Sequence, residues 1–536
     1  MTKVNTIFHF FSFFIFSPLY NPQNHAMMKP SIHFVGGFLH MKTWQADNSR
    51  IINGIALGFS LAFFIAAPIG AVYTGEWGSV FSNWYRILIT PSPLVTDYFA
   101  VGGLGSTLFN AGVCGIFCFL FMILLKGESR SNTLAGYFLV VAHCFYGLNL
   151  LNMIPCFLAP FLYLRYAKLD FKRNLHICMF ATSFGPFVSE FLFRYTTRDA
   201  FIFGTACFSA SGVLLSIVFC LMMGFIIPAI LPGASAWHKG YNLYNGGLAF
   251  GIFGFFVYNF MYRTMGITPP GKIVISNEIY ASFHQNYKLF ANCLFLTIFL
   301  SCFLIGFWLN GKKLHGLSHL VTDTGFQSDF AEKYGMPVCL MNIGLYGTVF
   351  LLYLNLVIRY TSGAGFTGPT FGVILAALTF TAMGQHPRNV LPIIFGYQCL
   401  YLVTLFLCHA NGREVTWSLS TQSYINGVAF ATGLSPLVGH YGIRAGIAAG
   451  FLCASMCSST SALHGGLVLY NGGFTAGITA LILVPILQHY CSGTREKMKD
   501  EKLYMQDLIA LVQNAPTADG QGWKKKYIGK RKKGGN

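Results

Sequence analysis

Apolar residues along this chain run in long unbroken stretches and do not alternate with polar ones. The stretches IINGIALGFSLAFFIAAPIGAVY (51–73) and LFANCLFLTIFLSCFLIGFWL (289–309) are each long enough, as helices, to cross a hydrocarbon core of roughly 30 Å. In lipid, such segments must close their backbone hydrogen bonds internally, as helices or as a closed barrel. Continuous patterning disfavours the barrel. The pattern therefore predicts an all-α, polytopic transmembrane helical bundle. Its polar breaks predict seven apolar segments in the first half, at 51–73, 98–125, 132–147, 148–164, 175–194, 200–230 and 241–262. Seven more follow at 289–309, 336–358, 365–384, 390–409, 420–440, 442–461 and 466–488.

The two sets of seven are copies. HKGYNLYNGGLAFGI (238–252) returns as HGGLVLYNGGFTAGI (464–478), and DYFAVGGLGSTLFNAGVCG (97–115) as DFAEKYGMPVCLMNIGLYG (329–347). GLNLLNMIP (147–155) pairs with GQHPRNVLP (384–392), and FATSFGPFV (180–188) with FATGLSPLV (430–438). Four matches in preserved order establish a tandem duplication. The boundaries read as an N-terminal extension (1–48), repeat 1 (49–263), a linker (264–288), repeat 2 (289–490) and a basic tail (491–536). An odd number of spans per repeat makes the second copy inverted. The loop between the third and fourth segments of each repeat is short, so a re-entrant hairpin there stays open.

Composition strengthens the membrane reading. Of the 536 residues 54% are hydrophobic and only 10% charged, and mean hydropathy is +0.55, where a soluble domain carries about 25% charge. The formal charge of +18 is concentrated in loops and in the tail, where KKKYIGKRKK (524–533) has no acid. Placing residue 50 inside puts Lys126, Arg130, the 165–173 cluster, Lys312, Lys313 and the tail inside as well, as the positive-inside rule asks. Integral membrane residence, a cytoplasmic C-terminal tail and contact with membrane lipids follow as expectations, and nucleic acid does not. The fifteen cysteines lie mostly in apolar runs without metal spacing and read as core fillers.

The marked pairs define the candidate chemistry. Asn245 and Asn471 offer amide donors and an acceptor to a neutral solute, with Tyr244 and Tyr470 as liners and Gly246 and Gly472 relaxing the helix. A second set is Asn110/Asn342 and Asn152/Asn389. Small residues and Asn also serve helix packing, and that alternative stands beside the binding one. Asp97 and Asp329 precede helices and read as N-caps. Candidates for gating or proton coupling are His238, His464, Glu190 and its repeat counterpart His440. Arg194, four residues after Glu190, is placed to pair with it. No phosphate loop, zinc-protease or esterase motif occurs, so neither a cofactor, a metal nor enzymatic activity is expected.

The phrases HKGYNLYNGG, LHGGLVLYNGGFTAGI and FNAG resemble an uncharacterised, mainly bacterial family of two-repeat integral membrane proteins, a domain of unknown function, over about 50–490. The long N-terminal extension and the lysine-rich tail depart from its compact form. The resemblance implies a membrane protein and supplies no substrate. In architecture alone the chain is similar to urea channels and related permeases. The expectation is a transporter or channel for an unidentified small polar solute, running between two repeats, with homo-oligomerisation left open. A membrane-embedded enzyme or lipid-handling protein, and a scaffold, are the alternatives.

Overall fold

The computed structural model describes residues 37–197, 202–270 and 277–491, with side chains from 47 and, after the linker, from 287. Most of the expected N-terminal extension, part of the linker and nearly all of the basic tail lie outside the described residues. Within them the chain forms helices and no strand, as segments that must bond internally require.

Repeat 1 comprises α1 (Gly37–Thr74), α2 (Val80–Leu88), α3 (Tyr98–Leu124), α4 (Ser131–His143), α5 (Leu150–Tyr166), α6 (Phe171–Ala181), α7 (Gly185–Glu190), α8 (Ala210–Trp237) and α9 (Asn245–Tyr258). Repeat 2 comprises α10 (Asn277–Leu309), α11 (Leu317–Leu320), α12 (Phe330–Tyr334), α13 (Met336–Tyr360), α14 (Gly368–Ala377), α15 (Pro387–Ala410), α16 (Gln422–Ala431), α17 (Ser435–Tyr441), α18 (Ile443–Met456), α19 (Thr460–Leu463) and α20 (Asn471–Tyr490). Helix α1 begins inside the expected extension and α10 inside the expected linker.

Eight helical stretches among the described residues are long and apolar enough to cross a membrane, fewer than the fourteen segments read from the sequence. The main difference is physical length. Helix α4 has 13 residues and α14 has 10, reaching only about 20 and 15 Å at 1.5 Å per residue. Both are almost wholly buried. Each is the inbound arm of a re-entrant hairpin. The Asn110 amide, in α3, donates to Cys144 O and Leu148 O at the hairpin tip, both at 2.9 Å. Helix α5 then runs back along α3, with Phe157 packed against Phe117 and Phe121. At the hairpin's mouth Glu128 N–H donates to Lys172 O at 3.1 Å, so the chain enters and leaves on one face. In repeat 2 Asn342 donates to Thr381 O and Gln385 O at 2.8 Å. Thr361 bonds Ser420 across that hairpin's mouth at 2.7 Å. Helix α15 is long enough to span, yet it is the return arm of this second hairpin.

Hairpins return the chain to its starting face, so each repeat still crosses an odd number of times. The contacts show the inversion. On one face Ser129 meets Asn53 at 2.6 Å, and Asn48 accepts from Met336 N–H at 3.0 Å. The end of α3 and the start of α13, equivalent helices, therefore share a face. This is the basic face, carrying Lys126, Arg130, Lys172 and Arg173. On the opposite face the end of α1 meets the start of the described part of α10 through Tyr73–Phe290 and Phe99–Tyr287 ring contacts.

The Asp caps are formed and extend across the repeats. Asp97 Oδ1 accepts from Phe99 N–H and also from Gly368 N–H, the first residue of α14, at 3.1 Å. Asp329 Oδ1 accepts from Glu332 N–H and from the Ser131 hydroxyl, the first residue of α4, at 2.7 Å. Each repeat's aspartate thus seals the mouth of the other's hairpin. After each Asp a short helix breaks at a glycine, Gly103 at φ 79° and Gly335 at φ 85°, a left-handed conformation that suits a residue without Cβ. The cysteines expected as core fillers, Cys114, Cys118, Cys453 and Cys457, are buried and unbridged.

Candidate functional site

The repeated asparagines divide by role. Asn110 and Asn342 use their amide donors on the carbonyls that end the inbound hairpin arms. Orphan carbonyls at a helix end buried in lipid require such partners. Asn152 and Asn389 close capping boxes at the start of the return arms. Asn152 Oδ1 accepts from Asn149 N–H at 2.9 Å and its amide donates to Gly147 O at 3.0 Å. Asn389 Oδ1 accepts from His386 N–H at 3.0 Å, and its amide donates to Gly384 O at 2.7 Å. These four side chains build the tips.

The two LYNGG phrases meet. Each runs inward as extended chain and becomes helical at its Asn, as α9 and α20. Leu243 N–H donates to Gly433 O at 2.9 Å, and Leu469 N–H to Ser183 O at 2.8 Å. Each phrase is thereby pinned to the turn that interrupts the other repeat's FAT helix. In those turns Pro186 and Pro436 sit at the restart of α7 and α17, where proline fits. The second glycine of each pair makes the crossing: a Cβ at Gly247 would lie 2.4 Å from the Gly473 carbonyl carbon. Gly246 and Gly472 face side chains, Phe250 and Phe430.

His464 Nε2 lies 3.0 Å from Asn471 Oδ1; His238 stands near Asn245, and its Nδ1 accepts from Asn242 N–H at 3.3 Å. Both histidines lie beyond the ends of the spanning helices, and burial pushes each imidazole down to about 4. Burial thus disfavours the charged form of both rings, and His464 serves as a bonding partner for Asn471.

What the hairpin tips and the two phrases enclose is a buried polar centre. Four tyrosines, Tyr146, Tyr244, Tyr346 and Tyr470, are each at most 2% exposed. Tyr146 lies within electrostatic reach of both Tyr244 and Tyr470, and Tyr346 of Tyr244. Tyr244 donates to Ala376 O at 2.8 Å, near the end of α14. The Gln385 amide donates to Thr432 at 2.8 Å. The Tyr146 hydroxyl, Ser183 Oγ, Gln385 Oε1 and Asn342 Oδ1 are buried with no hydrogen-bond partner. Each such group costs about 1–3 kcal/mol, so each calls for an explanation. His143 stands beside Tyr146 and Tyr470, with ring centroids at 5.1 and 5.3 Å. Sequence comparison between repeats missed it because its counterpart is Phe380. The available signal was a lone His within the apolar run LVVAHCF.

The expected intramembrane carboxylate is paired. Glu190, fully buried, binds the Arg194 guanidinium at 2.8 Å and accepts from Tyr262 at 2.6 Å. Both partners sit on π-helical turns, at Phe191–Tyr195 and Asn259–Thr264. Its counterpart His440 packs among Tyr241, Phe326 and Tyr441 rings. On the opposite face lies a cleft of about 760 Å³, lined by Tyr73, Glu76, Asn83, Arg86, Phe99 and Tyr287 among others. Burial pushes the Asp97 carboxyl up to about 7, against the bonds it accepts from Phe99 and Gly368.

Two copies of one helical unit, each with a hairpin that stops halfway, define a polytopic membrane protein with a duplicated core. The family model for DUF1576, described as a protein of unknown function, matches residues 77–263 and again 309–489. The chain belongs to that family. No curated protein and no solved structure matches it.

Proposed function

We propose that this protein is a membrane carrier for a small, uncharged polar solute. The observation that carries the reading is the polar centre between the hairpin tips, where buried hydroxyl and amide groups around Tyr146 and Gln385 have no partner. Inverted repeats with discontinuous helices at their interface are a recurring plan of secondary transporters, with the solute held near the bilayer midplane. The tyrosines and the Gln385 amide supply donors and acceptors without a fixed charge, which favours a neutral solute. The binding role is placed chiefly at this centre, with Tyr244 and Tyr470 retained; the Asn245 side-chain oxygen is likewise buried without a partner. In this reading the basic face is cytoplasmic, because Lys126, Arg130, Lys168, Lys172 and Arg173 gather there. The tail that follows α20 leaves from the same face, since Gln488 bonds Lys239 at 2.7 Å.

The test is uptake into proteoliposomes of a radiolabelled panel of urea, acetamide and glycerol, comparing wild type with Tyr146→Phe. Saturable flux of at least one solute, reduced about tenfold by loss of one hydroxyl (about 1.4 kcal/mol), is expected. Absence of protein-dependent flux for the whole panel, or an unchanged rate in the folded variant, refutes the assignment.

A further inference from the structure

The His143 ring is held at both ends by backbone carbonyls. Nδ1 lies 2.6 Å from Leu139 O, one turn back in α4, and Nε2 lies 3.1 Å from Leu469 O, in the LYNGG phrase of the other repeat. A neutral imidazole has one N–H, so one of its nitrogens would turn a lone pair toward a carbonyl oxygen. Only the imidazolium donates from both. The other buried histidines follow the neutral pattern. His386 accepts from Asn389 N–H at Nδ1 and points Nε2 at Asp323 O, while His238 Nε2 and His464 Nδ1 have no partner.

The surroundings also suit a cation. Tyr470 stacks on the ring at 5.3 Å, with Tyr146 at 5.1 Å and Phe430 at 6.0 Å. A ring face stacked on a positive charge favours it through its quadrupole, which opposes the penalty of burial. The titratable groups against the ring are the hydroxyls of Tyr146 and Tyr470, and those that act on Tyr470 and on the adjacent Cys144 are again hydroxyls and thiols: Tyr244, Cys114 and Cys118. Helix α14 carries no ionisable residue, and none of Lys172, Arg173, His176 or Cys178 of α6 acts on the ring.

We infer that His143 is a proton-binding site that couples solute movement to a proton. This rests on the carrier reading above. In the arrangement described, the proton on Nε2 ties the hairpin of repeat 1 to Leu469. When the LYNGG phrase withdraws, that proton passes to water on the open side and the ring becomes neutral, with Nδ1–H still bonded to Leu139 O. The symmetry-related position, Phe380, packs edge-on against Tyr244 at 4.6 Å and holds no proton. One of the two phrases is therefore under proton control and the other is not.

The experiment uses full-length protein, ¹⁵N-labelled at histidine, in lipid nanodiscs. Its nitrogen spectra are recorded from pH 5 to 8 for wild type, His143→Phe and His143→Asn. An imidazolium signal that persists at neutral pH in wild type and is missing from both variants is expected. In proteoliposomes, an imposed inward proton gradient should then raise wild-type uptake of whichever panel solute is carried, by severalfold, and leave both variants unaffected. A His143 ring that stays one neutral tautomer throughout, or variant flux as gradient-sensitive as wild type, overturns the inference and leaves the carrier reading intact. The imidazolium signal without flux of any solute supports the proton site and counts against the carrier reading alone.

Discussion

Replacing Gly247 with alanine adds one methyl group at the point where the two repeats come closest. That methyl would sit 2.4 Å from the Gly473 carbonyl carbon and 2.6 Å from its Cα, so α9 and α20 must part by about 1 Å to restore ordinary contact. The obstacle is backbone on backbone, which no rotamer change relieves. Overpacking of this kind costs about 1–3 kcal/mol, and alanine returns about 1 kcal/mol of helix propensity over glycine. Because backbone cannot yield, the upper end of that range applies, and a net loss of about 2 kcal/mol remains. The control is Gly58→Ala in α1, where a Cβ meets nothing within 4 Å, so only the propensity gain of about 1 kcal/mol remains. The same chemical change is thus expected to act with opposite sign at the two sites. Unfolding in mixed micelles, followed by far-UV circular dichroism against added SDS, reads both. A Gly247→Ala midpoint at or above wild type, moving with Gly58→Ala, would refute the crossing.

Two further outcomes follow from the charged groups. Glu190→Gln leaves Arg194 buried without its counter-charge and should destabilise by about 3–5 kcal/mol; the double variant with Arg194→Leu should recover most of that loss, and additive losses in the cycle would contradict the pairing. Because the folded Asp97 carboxyl holds its proton up to about 7 while an unfolded one releases it near 3.8, the native state binds more protons in this window, and its stability should fall as pH rises from 4 to 7. Asp97→Asn removes that slope, so a difference between wild type and variant that is flat with pH would rule the raised value out.

Much of the plan was legible along the chain because duplication repeats whatever matters to it. The LYNGG echo located the two helices that cross, and the parity of apolar segments implied inversion. The hairpins hid because their tips, CFYGLN and TAMGQH, interrupt hydropathy too little to reveal that α4 and α14 stop short. Hydropathy measures what a residue prefers to touch, and protein interior at half depth looks the same as lipid. Matching residues between repeats found Asn110 and Asn342 yet could not separate an amide bonded to a helix end from one facing a solute. It passed over His143 because the feature that makes that residue interesting, its difference from Phe380, is what such matching discards.

The exchange of aspartates between the halves bears on how the molecule is made. Asp329 reaches Ser131 at the entrance of the first hairpin, so that entrance stays unsealed until nearly two hundred further residues have left the ribosome. The first half must wait in the bilayer with that entrance unlocked, and a gene cut between the repeats would yield fragments that mature only on meeting each other.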